Sequence, residues 1–338
     1  MIVEHVKTRG ALAVAGVVAA VAIGIGSYLV TAGHGSPVIH PSPSASPSAR
    51  ASLSRKTSTQ RRNPFTGKGP GGHVLAVKID NVGAAQDEQA GLNSADLVYV
   101  IQVEGGLSRY LAIFDSSDAP DEVGPVRSAR QTDIPLLAAY GRIGLAYSGA
   151  IPGLLPELAA ANLRNITPDT APDQFTNGGS SPTYVNPRKL FAAYPHLALT
   201  KYVGFHFGAM PAGGRPDKSV SVYMPAAAFT FTAKGTEWLV SVDGSPSITI
   251  NQGRTTTDNI IVQHVNVVPG QFTDHNAAQP ANEVFSETTG SGTADFYRDG
   301  KVWHGRWSKP TGTSATAYTV NGRPMELAPG RTWIVLEG

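Results

Sequence analysis

The sequence predicts an α+β protein. An N-terminal domain built on a mixed α/β-type sheet is followed by a β-rich C-terminal domain, and one transmembrane helix and a disordered linker precede both. Three observations carry this reading. Short apolar or alternating runs recur through residues 74–148, with brief helical patterns between them. After Pro216 strand-like runs follow one another and no helix signal is strong. Gly (37) and Pro (25) in 338 residues favour turns over long helices.

From the N-terminus, Ala11 to Ala32 is an uncharged run rich in Ala, Val, Gly and Ile, long enough to span a bilayer. Lys7 and Arg9 precede it and no Lys or Arg follows until Arg50, so the positive-inside rule places residues 1–10 in the cytoplasm and the bulk of the chain outside. A cleaved signal segment is the rival reading, but its apolar stretch is ordinarily shorter. Residues 33–62 are rich in Ser, Pro and Arg, lack acids, and cannot build a core, which predicts a disordered tether.

In the body, Val74–Asp80, Asp96–Val103 and Leu107–Phe114 read as strands. The break at Glu104-Gly105-Gly106 makes the last two a hairpin. Ser128 and Gln131 fit a capping box, with Ile134, Leu137 and Ala138 as the apolar face of the helix and Gly141 as its stop. Ile143–Ser148 reads as a strand, and Leu154–Leu163 and Lys189–Tyr194 as short helices. From residue 218, strands are expected at Ser219–Met224, Ala228–Thr232, Trp238–Val242, Ile260–Val268, Gly292–Tyr297, Val302–Trp307, Ala317–Val320 and Thr332–Leu336. Asp243-Gly244, Asp299-Gly300 and Asn321-Gly322 mark hairpin turns. The N-terminal α+β domain thus spans 63–217 and the β-rich domain 218–338.

Charge and composition exclude several functions. The net charge of +2 divides unevenly: residues 1–62 hold seven Lys/Arg against one acid, and residues 63–338 hold twenty against twenty-four. The mildly acidic body argues against nucleic-acid binding. No cysteine means no disulfide, thiolate metal site, Cys nucleophile or lipidated N-terminal Cys. His206, His264, His275 and His304 lack metal-ligand spacing, and no serine sits in a nucleophile motif. No metal, cofactor or catalytic residue is assigned. Trp303 and Trp307 share one face of their strand, either as a sugar platform or, more simply, as core.

Two polar sets remain. Asp80, Asp96 and Glu104 lie at strand ends, with Asn81 beside Asp80; such carboxylates serve as acid and base on a glycan or merely pair with arginine. Arg127 and Arg130 flank Ser128, where positive charge opposes the helix dipole and calls for an internal carboxylate or a bound anion. Arg109 joins the same cluster.

The runs Asn63-Pro64-Phe65-Thr66-Gly67, Val77-Lys78-Ile79-Asp80-Asn81, Ser94-Ala95-Asp96-Leu97-Val98-Tyr99, Val103-Glu104-Gly105-Gly106, Arg109–Phe114 and, most specifically, Gly124-Pro125-Val126-Arg127-Ser128-Ala129-Arg130 resemble the YerB-like family. Asn259–Gln263, Gly290-Ser291-Gly292, Gly305–Lys309 and Pro329–Ile334 continue the resemblance, which covers residues 63–338. It implies an extracytoplasmic bacterial lipoprotein with a two-part domain of unknown function, and no established enzyme activity. The chain departs from that pattern in lacking the lipidated Cys, which leaves its apolar helix as the anchor. The expectation is a membrane-anchored, non-enzymatic envelope protein that binds a cell-wall polymer or an envelope partner through Asp80, Asn81, Asp96, Glu104, Arg109, Arg127, Ser128 and Arg130. The alternatives are a glycan hydrolase or lyase using Asp80, Asp96 or Glu104, and a purely structural cluster.

Overall fold

The computed structural model describes residues 62–178, 181–274 and 281–338. The expected anchor over 11–32 and all of the linker but Arg62 lie outside them, as does His275. Among the described residues no helix is long and apolar enough to cross a membrane.

The framework is a twelve-stranded sheet. Its N-terminal contribution is β1 (Val74–Asp80), β2 (Leu97–Gln102), β3 (Ser108–Asp115), β4 (Gly144–Ala146) and β5 (Arg164–Ile166). β3 lies between β2 and β1, antiparallel to both, and β4 and β5 continue parallel to β1. On the far side of β2 the last strand of the chain, Thr332–Glu337, pairs in parallel, with Leu97 opposite Thr332 and Val98 opposite Trp333. Asn259–His264 follows in parallel. The hairpin Gly290–Arg298/Lys301–Lys309 and the short strands Ala317–Val320 and Arg323–Pro324 then continue the run antiparallel, and the twelfth strand, Arg215–Pro216, pairs with the start of Lys301–Lys309. Residues on either side of position 218 therefore share one continuous sheet.

Both faces of its middle are buried, which explains why β2 reads as a nearly unbroken apolar run. Val98 and Val100, Tyr110 and Ala112, Ile260 and Val262, and Trp333 and Val335 face one core. Leu97, Tyr99, Ile101, Leu111, Ile113, Ile261, Ile334 and Leu336 face the other. The first core is closed by a smaller sheet of Ser219–Met224, Ala227–Lys234 and Glu237–Val242, through Val222, Phe229, Phe231, Trp238 and Val240. The second is closed by α1 (Asp133–Leu137) and α2 (Leu155–Ala160) through Leu136, Leu137 and Leu158. α3 (Pro187–Ala193) adds Leu190 and Phe191 to the first core. Trp333 stands edge-on to both Tyr110, at 5.2 Å, and Phe231, at 5.9 Å.

The strand positions agree closely with the sequence reading, and Asp243-Gly244, Asp299-Gly300 and Asn321-Gly322 all have positive φ, as tight hairpin turns need. Trp303 and Trp307 are both buried in the second core, the simpler of their two readings. The described residues are mostly β; their three α-helices span five, six and seven residues. One expected strand divides. Ile260–Val268 is two strands, because Val265 closes the first with a bond to the Glu337 carbonyl and Val267–Asp274 then turns away to pair with Ala281–Ser286.

Trp333→Ala removes the ring that the halves of the chain share. It should cost about 3–5 kcal/mol in urea unfolding. The remaining transition should stay single, because Thr332–Glu337 supplies side chains to both cores.

Candidate functional site

The arginine and carboxylate residues gather where β1 ends. Asp80 and Arg109 are direct cross-strand neighbours. The segment Gly124–Arg130 runs over them. Asp80 N–H donates to the Pro125 carbonyl, Arg127 N–H to Lys78, and Ala129 N–H to Gly149. These tertiary backbone bonds keep the segment extended, so the helix expected after Ser128 does not begin there. It starts at Asp133, and Ser128 caps nothing; its carbonyl instead accepts from Arg109 Nη1 at 3.4 Å. The argument for an anion site at a helix N-terminus is overturned with it.

Two of the three arginines are compensated. Arg127 Nε lies 3.0 Å from Asp80 Oδ2, with the arginine side chain 53% exposed. Arg130 is buried and grips Glu104 with two parallel bonds, Nε to Oε1 at 2.6 Å and Nη2 to Oε2 at 2.8 Å. Beneath them lies an ion pair that sequence reasoning passed over. Lys78 and Asp133 are both fully buried, Nζ to Oδ1 2.7 Å, while Asp133 Oδ2 accepts the Arg130 backbone N–H at 2.8 Å. The signal for it was a lysine inside the otherwise apolar run Leu75–Ile79. Burial pushes the Lys78 amine down against the pull of Asp133, and Arg109 and Arg130 push the same way.

Arg109 is the exception. It is only 8% exposed, its Nε has no hydrogen-bond partner, and among the described residues it forms no ion pair. Burial first, then the charge of Arg130, brings its guanidinium down to about 10, with Glu104 and Asp80 pulling the other way. Four cations (Lys78, Arg109, Arg127, Arg130) thus meet three paired carboxylates (Asp80, Glu104, Asp133). A further carboxyl group closes the cluster from the hairpin Val267–Asp274/Ala281–Ser286. Glu283 Oε1 accepts the Gln131 backbone N–H at 2.7 Å, and burial lifts this carboxyl to about 7. No expected strand covered Glu283, so the sequence carried no signal for it.

Asn81 holds the site together and is not free for a ligand. Its amide donates to Ser108 Oγ at 2.8 Å and its oxygen accepts from Gln89 Nε2 at 2.9 Å. Gln89 also bonds the Asp80 carbonyl.

Asp96 sits elsewhere. It precedes β2 at the opposite end of the sheet, beside Asp115, and Asn63 Nδ2 donates to both carboxyl groups. Burial and the neighbouring Asp115 charge hold Asp96 well above the ordinary carboxylate range. The pair lines a cleft of about 480 Å³ whose walls also carry Lys68, Asp118, Asp258 and Arg331. The eight expected residues therefore form two groups, seven at the arginine cluster and Asp96 alone. Among the described residues no three His, Cys, Asp or Glu side chains are placed to hold a metal ion.

Comparison with known proteins gives a consistent match. Residues 65–202 match the N-terminal domain and residues 220–334 the C-terminal domain of DUF3048, a protein of unknown function. The chain is 25% identical over 286 residues to the Bacillus subtilis (strain 168) protein named "Putative lipoprotein YerB", covering 77% of this chain and 80% of that one. The crystal structure of the YerB protein from Bacillus subtilis has the same fold, with a TM-score of 0.66 at 20% identity over 82% of this chain and 96% of the other.

Lys78→Met leaves Asp133 buried and unpaired and should cost about 3–5 kcal/mol in denaturant unfolding, most of it recovered in Lys78→Met/Asp133→Leu. Asp96 predicts a pH effect of definite sign. A carboxyl group raised in the folded state penalises folding as pH rises towards that raised value, and costs nothing below the unfolded value near 3.9. Asp96→Asn should therefore raise the melting temperature at pH 8, and the gain should vanish below about pH 4.

Proposed function

The chain belongs to the DUF3048 family of unknown function, and on that premise we propose that it is a membrane-anchored extracytoplasmic protein that binds an anionic group of a cell-wall component without acting on it. The apolar run over 11–32, with its flanking charges, supports the anchor and the orientation. The name of the B. subtilis relative, a lipoprotein, supports the location, although this chain has no cysteine to carry a lipid.

One observation carries the binding reading: among the described residues the buried Arg109 guanidinium forms no ion pair. An unpaired buried charge is expensive, and a structural cluster would have supplied its counter-charge, as Asp80, Glu104 and Asp133 do for the other three cations. An oxyanion reached past half-exposed Arg127 would complete the set, taking charge-assisted bonds from Arg109. Asp80 and Glu104 are occupied in ion pairs, which counts against either as a catalytic acid.

Asp96 favours a second reading, glycan hydrolysis. A cleft carboxyl group that burial and the neighbouring Asp115 charge raise well above the ordinary carboxylate range suits the role of a general acid.

Co-sedimentation of the full chain, in non-ionic detergent, with isolated cell-wall sacculi tests both. Saturable pelleting by the wild type, weakened roughly tenfold or more in folded Arg109→Met, is the expected result. A folded wild type that stays in the supernatant refutes wall binding and turns attention to an envelope protein. Glycan fragments released by the wild type and not by Asp96→Asn would establish the hydrolase instead.

A further inference from the structure

Glu283 is placed to decide the charge of the arginine cluster. It lies on the strand Ala281–Ser286, is fully buried, and comes from a hairpin that leaves the main sheet and returns over the turn Glu104–Gly106. One carboxyl oxygen is held by the Gln131 N–H; the other, Oε2, has no hydrogen-bond partner. The hairpin is pinned at this point by two more bonds, Gln271 N–H to Gln131 Oε1 at 3.1 Å and Ser286 N–H to Thr132 Oγ1 at 3.0 Å. The carboxyl group therefore cannot swing out to water without breaking the contact between the hairpin and the segment that carries Arg130.

Among the described residues, the charged groups facing Glu283 are Arg130, from the segment leading into α1, Asp133, the first residue of α1, and Glu104, from the turn after β2. Burial lifts the group to about 7, the Gln131 N–H and Arg130 favour the ionised form, and Glu104 and Asp133 oppose it. With Glu283 neutral, the cluster carries four cations against three anions. With Glu283 ionised, the charges balance and nothing is left over for a ligand. Arg109 feels this change through Arg130 and Glu104, the two groups nearest it in charge effect.

We infer that this site takes up an oxyanion together with a proton, the proton being held by Glu283, so that binding is strong when Glu283 is neutral and weak when it is ionised. The inference rests on the proposed anion site at Arg109 and adds its ligand chemistry: an oxyanion that stays charged while the site titrates, of the carboxylate, sulfate or phosphodiester kind. Reciprocity follows from linkage, since the bound anion must favour the protonated Glu283 by the same factor.

The test uses the full chain in non-ionic detergent and inorganic sulfate, whose charge is constant between pH 6 and 8. Calorimetry should show sulfate binding about tenfold tighter at pH 6 than at pH 8, the size of an ordinary through-protein charge coupling. Near pH 7, titrations in buffers of different ionisation enthalpy should report proton uptake with sulfate. Glu283→Gln keeps the acceptor for the Gln131 N–H and mimics the neutral acid; it should bind at the pH 6 strength throughout. Wild-type affinity equal at pH 6 and pH 8 without proton uptake would overturn the coupling while leaving the anion site standing. A pH dependence that persists in Glu283→Gln would assign the proton elsewhere and equally overturn it. Should that variant fail to fold, the proton count on the wild type decides alone. Sulfate that does not bind at pH 6, or binds as well to Arg109→Met, refutes the anion site itself.

Discussion

The parallel pairing of the last strand, Thr332–Glu337, with β2 is the contact on which the rest of this structure depends. It inserts the end of the chain into the middle of the sheet, between strands formed more than 60 residues earlier and strands formed more than 200 residues earlier. Trp333 thereby reaches Tyr110 and Phe231 at once, so one side chain ties β3 to the smaller sheet. The same pairing brings Arg331 to Asn93, its Nη1 donating to that carbonyl at 2.6 Å, and so closes the cleft that holds Asp96. Parallel pairing also explains the composition: a strand flanked on both sides and covered on both faces has no solvent edge and no reason to alternate.

Covering both faces imposes an electrostatic consequence. β1 passes wholly through the interior, and its one lysine must be neutralised there. Asp133 does this with one oxygen and holds the Arg130 backbone with the other. The position of Arg130 thus follows from the need to pair Lys78, and Glu104 is held in turn by Arg130. In a low-dielectric interior each such pair is worthwhile only when complete. The cluster reads as a chain of completed pairs with Arg109 left over, and a leftover buried charge is the feature most in need of a ligand. The cleft around Asp96 meets the same constraint differently: two neighbouring carboxyl groups share Asn63, and burial with the Asp115 charge raises Asp96 well above the ordinary carboxylate range.

Much of the fold was legible in the sequence, because hydrophobic period and turn chemistry are local. Val74–Asp80, Ser219–Met224 and Ala317–Val320 coincide with their observed strands, and the three Asp-Gly or Asn-Gly pairs turn where expected. The grouping of Arg109, Arg127 and Arg130 with Asp80 and Glu104 was legible too, since charges beside strand ends and a Gly-rich break tend to meet at one edge. The helix start was misread because Ser128 and Gln131 carry a genuine local capping pattern, which loses to the backbone bonds that Val126, Arg127 and Ala129 donate to the carbonyls of Thr183, Lys78 and Gly149.

The sequence by itself determined most of the strands, their tight turns and the uncharged N-terminal run, because each depends on neighbours a few residues away. Only the tertiary structure decided which charges are compensated. Lys78 meets Asp133 across 55 residues, and Gln131 meets Glu283 across 152. No local pattern encodes such distances; they follow from strand order, and strand order is set by which faces can be buried together. That is why Asp96 left the cluster, why Glu283 joined it, and why Arg109 forms no ion pair among the described residues.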